Sequence, residues 1–90
     1  MLNLRGKRGL IMGVANERSI AWGIAKAMSD AGAELAFTYQ GETFGKRLQP
    51  LAESVGANLM LDVDVTDDTS LEKAFGQLQS SWSSLDFVVH

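Results

Sequence analysis

Gly9-Leu10-Ile11-Met12 runs directly into Gly13-Val14-Ala15-Asn16-Glu17-Arg18-Ser19-Ile20-Ala21-Trp22-Gly23, and the reading of this stretch decides the fold. The first four residues have the length and hydrophobicity of a buried parallel strand, and Ser19 is a good N-cap for the helix that follows. A strand feeding a small-residue turn and then a helix leaves unpaired backbone N–H groups and the positive end of a helix dipole aimed at one point. An anionic diphosphate fits there.

The spacing departs from the dinucleotide fingerprint G-x-G-x-x-G, because Ala15 holds the second place and the turn runs longer before the helix opens. Ala15 still admits a close backbone approach, Ser19 offers a hydroxyl, and Gly23 is expected to let the helix sit near the strand. The competing reading is an ordinary strand-to-helix turn, rich in small residues for local geometry.

Working outward, strand-like and helix-like patterns alternate with short joins. The first strand is expected over 8–13 and the first helix over 20–31, with Ile20, Ile24, Ala27, Met28 and Ala31 on its inner face and Gly32 ending it. Glu34 to Tyr39 reads as a second strand. A second helical stretch places Phe44, Leu48, Leu51, Ala52 and Val55 at spacings of three and four. Pro50 removes a donor and disfavours helical geometry at Gln49, which predicts a kink or two short helices with Pro50 in the first turn of the second. Leu59 to Val63 reads as a third strand. Thr69-Ser70-Leu71-Glu72, led in by Asp67 and Asp68, has the capping-box pattern and opens a third helix with Leu71, Ala74, Phe75, Leu78 and Trp82 inward. Leu85 to His90 reads as a fourth strand. This alternation implies right-handed crossovers and a parallel sheet of order 3-2-1-4, the first half of a doubly wound α/β (Rossmann-type) fold.

In that order the fourth strand is an edge, although Phe87-Val88-Val89 is hydrophobic enough to want cover on both faces, and a single helix lies on one side of the sheet. Residues 1–90 are therefore expected to be the first part of a longer protein, one single domain whose remainder lies beyond this chain.

Ninety residues with 46% hydrophobic and 21% charged side chains describe a small globular unit that buries roughly 60–65% of its unfolded surface. The net charge of −3, with Lys and Arg scattered, argues against a nucleic-acid partner. Without cysteine there are no disulfides or thiolate metal sites, and one histidine cannot build a metal cluster. Asp62, Asp67 and Asp68 are read as strand alternation and a helix cap rather than metal ligands. No run reaches membrane-spanning length and the opening residues lack the apolar core of a signal peptide, so the expected location is the cytoplasm, without a membrane partner.

Gly13-Val14-Ala15 through Ser19-Ile20-Ala21-Trp22-Gly23-Ile24-Ala25, Glu34 through Gln40, and Asp64-Val65 closely resemble the bacterial enoyl-acyl carrier protein reductases of type II fatty acid synthesis. Ordinary short-chain dehydrogenases carry T-G-x-x-x-G-x-G at the first turn, whereas here Met12 precedes Gly13 and the turn is lengthened in the manner of the enoyl reductases. The resemblance implies NADH-dependent reduction of the trans-2 double bond of an acyl chain on acyl carrier protein, by an enzyme that is typically a homotetramer. It also implies a tyrosine and a lysine at the chemistry. Tyr39 with Lys46 is not given that role, since Tyr39 ends a strand; the matching pair is expected past His90, and no catalytic residue is assigned within this chain.

Carried over residue by residue, the cofactor contacts would be Gly13 and Ala15 beside the pyrophosphate and ribose, with Ser19 and Ile20 at the helix start. Arg18 is read as a solvated loop residue. Gln40 stands where a dinucleotide fold meets the adenosine ribose, commonly with an acid; glutamine binds a hydroxyl without strongly repelling a phosphate. The family favours NAD; Lys46 and Arg47 are read as the exposed face of a helix, and would serve the 2′-phosphate of NADPH only if their loop folded back. Asp64 is positioned to accept from the adenine amino group with Val65 packing on the ring; the alternative for Asp64 is a local turn bond. Competing classes are an NADPH-dependent carbonyl reductase, a noncatalytic nucleotide module, and a phosphoacceptor domain, which would want an acidic pair where Met12-Gly13-Val14 stands.

Overall fold

Seven elements alternate along the chain: β1 (Arg8–Ile11), α1 (Ile20–Asp30), β2 (Glu34–Tyr39), α2 (Glu42–Ser54), β3 (Leu59–Asp62), α3 (Asp68–Ser81) and β4 (Phe87–Val89). They come from a computed structural model that describes residues 3–89; the expectation for His90 lies outside them. The four strands form one parallel sheet of order β3-β2-β1-β4, as the alternation requires. Ile11 stands level with Phe37, and Tyr39 with Asp62, so the turns after β1, β2 and β3 emerge along one edge.

Strands β1, β2 and β3 divide their side chains between two apolar layers. Ile11, Leu35 and Phe37 pack with Trp22 and Ala25 of α1 and with Leu48 and Ala52 of α2. On the other face Leu10, Met12, Ala36, Leu61 and Val63 meet Ala74 and Leu78 of α3 and the adjoining Trp82. Phe37, Ile11 and Leu48 are the largest fully buried side chains, so the deeper layer is the one carrying two helices. Among the described residues β4 pairs only with β1, and Val88 on it is 49% exposed. Phe87 lies across Gly9, where an added Cβ would stand 2.0 Å from the ring; the glycine is what admits the aromatic side chain.

Several local expectations are corrected. The inner face of α1 is Trp22 and Ala25, flanked by Ala21 and Met28, while Ile20 is 84% exposed. The sequence Ile-Ala-Trp-Gly-Ile-Ala-Lys-Ala-Met holds two overlapping apolar stripes, and the docking of Trp22 on Phe37, with ring centroids 6.1 Å apart, selects one. Gly23 does not set the approach of helix to strand: it is exposed, and a Cβ there meets nothing within 4 Å. Pro50 neither splits α2 nor starts a second helix, since Glu42–Ser54 is one helix with the proline inside. Pro50 and Lys46 both lie on the exposed side, where water can take the place of the donor that the Lys46 carbonyl loses.

α3 begins earlier than the Thr69-Ser70-Leu71-Glu72 pattern predicts. Asp67 is its N-cap, accepting from the Thr69 backbone N–H at 3.0 Å. Phe75 and Phe44 were expected inward, yet they are 42% and 44% exposed, because Ala74, Leu78, Leu48 and Ala52 occupy the sheet-facing stripes instead. Strands β1 and β3 end at Ile11 and Asp62, slightly short of the expected ends, although Met12 N–H still reaches Val89 and Val63 N–H reaches Tyr39.

Candidate functional site at the carboxyl edge of the sheet

The turn after β1 is built around two residues. Gly13 has φ +85°, a left-handed conformation that glycine adopts without penalty, and open space surrounds it. Ser19 stands at the N-cap position of α1 with extended backbone, but its side chain does not cap the helix. It turns back instead. Its Oγ accepts the backbone N–H of Ala15 at 3.0 Å and of Asn16 at 3.2 Å. Two accepted bonds use the lone pairs of a hydroxyl and leave its one hydrogen to donate outward. Asn16 reinforces the turn, its Oδ1 accepting from Arg18 N–H at 2.8 Å and its carbonyl from Ser19 N–H at 3.1 Å.

The Trp22 and Gly23 N–H groups return to the Ser19 carbonyl, whereas those of Ile20 and Ala21 meet no acceptor among the described residues. Free N–H groups, a hydroxyl hydrogen and the positive end of α1 thus share one exposed surface. Gly13, Ala15, Ser19 and Ile20 are brought together, and the N–H of Ala15 is already engaged by Ser19.

After β2, Gln40 is exposed beside Gly41, which has φ +86° and serves as N-cap of α2. The Gly41 N–H donates to Oδ1 of Asp62, at the end of neighbouring β3, over 3.2 Å. Lys46 does not fold back over this turn: its ammonium pairs with Glu42 one helical turn earlier at 3.5 Å, and the Arg47 guanidinium lies 5.9 Å from the Phe44 ring centre. Tyr39 packs against Gly45, where a Cβ would come within 2.7 Å of the ring.

After β3, the Asp64 N–H donates to Ser70 Oγ at 2.9 Å, tying the turn to α3. Asp64 Oδ1 accepts from the backbone N–H and the hydroxyl of Thr66, at 2.9 and 2.6 Å. The hydroxyl bond first, and the backbone bond second, hold the Asp64 carboxyl below the ordinary aspartate range. Both bonds use Oδ1, and Oδ2 accepts from no donor among the described residues. Val65, beside it, is 50% exposed.

Sequence reasoning missed Asp62, which ends β3 with its carboxylate under the neighbouring turn, and Ser70. The Asp64-Val65-Thr66 pattern was a readable sign of an Asx turn. No helix among the described residues is long and apolar enough to cross a membrane.

A family model described as enoyl-(acyl carrier protein) reductase matches residues 13–90, beginning at the first glycine of the β1 turn and including all seven nominated positions. The chain belongs to the enoyl-acyl carrier protein reductase family. Among relatives in this family, enoyl-acyl-carrier-protein reductase (NADH) 1 of Rhizobium meliloti is 54% identical over 97% of this chain and 32% of its own length. The FabI of Rickettsia typhi is 48% identical over 97% and 33%. The crystal structure of FabI from Candidatus Liberibacter asiaticus superposes with TM-score 0.96 at 56% identity, covering 100% of this chain and 35% of that one. A reductase from Anaplasma phagocytophilum, crystallised in complex with NAD, gives 0.94 at 54% identity, over 99% and 34%. The chain spans about a third of the length of these enoyl reductases.

Proposed function

We propose that residues 1–90 are the N-terminal part of a single NAD-binding Rossmann domain, and that the whole protein reduces the trans-2 double bond of enoyl-acyl carrier protein with NADH. The observation that carries this reading is the β1 turn, where Ser19 braces two backbone N–H groups and keeps a hydroxyl hydrogen beside the free N–H groups of Ile20 and Ala21. That arrangement suits a diphosphate, with Gly13 and Ala15 allowing it to lie against the backbone. Charge-assisted bonds of this kind contribute roughly 1.5–3 kcal/mol each before ordering costs. Gln40 is suited to the adenosine ribose, Asp64 Oδ2 to the adenine amino group, and exposed Val65 to the ring face. Lys46 pairs with Glu42 on the exposed face of α2 instead of folding back toward a 2′-phosphate, which supports NADH over NADPH.

When bound, NADH supplies a hydride; the residues of this segment bind and orient it, and the acid-base residues are assigned to the remainder of the protein. The names of the relatives, one of them crystallised with NAD, support both the reaction and the cofactor. Acyl carrier protein as substrate carrier, a homotetrameric assembly and a cytoplasmic location belong to the same reading. The test is titration of the full-length protein with NADH and NADPH, followed by turnover of a trans-2-enoyl thioester. Saturable NADH binding and its oxidation by the enoyl substrate are expected. Failure to saturate at millimolar NADH, or turnover of carbonyl substrates only, overturns the assignment.

A further inference from the structure

We propose that Asp62 is a specificity-determining residue that turns the protein against the 2′-phosphate of NADPH. The inference rests on the dinucleotide reading above and concerns which of the two nicotinamide dinucleotides is accepted. Gly41 follows the ribose-reading Gln40 and is the N-cap of α2. Its N–H is the kind of donor that a phosphate on the 2′ position would seek, and the positive end of α2 would add to the attraction. The donor is already taken. Asp62 Oδ1 accepts it at 3.2 Å, so a resident carboxylate sits where the second anion would have to come.

Neighbouring charges do not offset it. Glu42, in the first turn of α2, pairs with Lys46 at 3.5 Å, so this ion pair brings no net positive charge to the turn. The Arg47 guanidinium is engaged with the Phe44 ring, 5.9 Å from its centre. A 2′-hydroxyl, neutral and able to donate, tolerates this setting, whereas a dianion must approach the exposed Asp62 carboxylate, a like charge whose repulsion is felt at low salt. Discrimination by a repulsive element is distinct from the attractive contact that Gln40 offers to a hydroxyl.

Asp62→Asn in the full-length protein is the direct test, because the amide oxygen keeps an acceptor for the Gly41 N–H and only the charge is lost. The readout is the ratio of the NADPH to the NADH dissociation constant, measured by fluorescence titration at low salt. A shift of about tenfold toward NADPH is expected for Asp62→Asn, reduced at high salt as screening demands, while charge-retaining Asp62→Glu holds the ratio within about twofold. An unchanged ratio in Asp62→Asn, an equal shift in Asp62→Glu, or a shift indifferent to salt overturns the proposal while leaving the dinucleotide reading intact. Absence of binding of either nucleotide to the unsubstituted protein would instead sink that reading, and this proposal with it.

Discussion

The turns after β1 and β3 leave the same edge of the same sheet, yet they present opposite chemistry. The β1 turn offers donors, namely the Ile20 and Ala21 N–H groups and the Ser19 hydroxyl hydrogen. Acceptors dominate at the end of β3, where Asp62 accepts the Gly41 N–H of the neighbouring turn after β2 and Asp64 accepts the Thr66 N–H of its own turn. The difference traces to how each turn satisfies its own backbone. Small residues after β1 leave the polypeptide itself exposed, braced by the Ser19 hydroxyl and the Asn16 amide oxygen, while Asp62 and Asp64 at the end of β3 each take up a backbone donor through one carboxylate oxygen. A dinucleotide has matching polarity, with phosphate oxygens in its middle and an amino group at its adenine end.

The strand between the two turns supports both. Phe37 in β2 is fully buried against Trp22, so Phe37→Ala is expected to lower the stability of the intact protein by about 3–5 kcal/mol, measured by chemical denaturation. A loss below about 1 kcal/mol would mean that the turns are not held by a shared frame. Gly13→Ala confines damage to one turn. With φ +85° and open space around it, its cost is conformational, about 1–2 kcal/mol, and NADH affinity is expected to fall around tenfold or more. Unchanged affinity would remove the left-handed geometry from the comparison.

Ser19→Ala takes away the acceptor shared by Ala15 and Asn16 together with the outward hydroxyl, and a roughly tenfold rise in the NADH dissociation constant is expected. Ser19→Thr keeps the hydroxyl and should recover most of the loss; failure of that rescue would mean that the bracing is not what matters. The smallest effect is expected on the acceptor side. Thr66→Val removes the first cause of the depressed Asp64 titration, so the carboxyl should titrate closer to the ordinary aspartate range in a carbon-detected NMR titration. A group whose folded value is depressed contributes stability above its unfolded value and loses it as pH falls through the folded one; the variant should move that loss to higher pH. An unmoved Asp64 would show that the turn bond does not govern its charge.

Much of the fold was legible because alternation of apolar strands with amphipathic helices has few topological solutions. β2 was bounded residue for residue, and the sheet order followed from crossover rules. Helix phase was less legible. In α1 both stripes, one through Ile20 and Ile24 and one through Trp22 and Ala25, satisfy helical spacing, and only the Trp22–Phe37 contact distinguishes them. Pro50 misled for a related reason: its cost depends on whether the freed carbonyl is buried, which spacing does not state. In the site, glycine and serine after β1 were readable from local turn chemistry, whereas Asp62 under Gly41 joins residues 21 apart in sequence.

By itself the sequence determined the alternation of elements, the parallel sheet and the small-residue turn at the head of α1, because these depend on periodicity and on the conformations that glycine and serine favour locally. Tertiary structure alone decided which stripe of α1 turns inward, that Ser19 braces its own turn rather than capping the helix, and that Asp62 occupies the Gly41 donor. Those outcomes depend on groups meeting in space, where packing and hydrogen-bond geometry choose among arrangements that sequence spacing leaves equal.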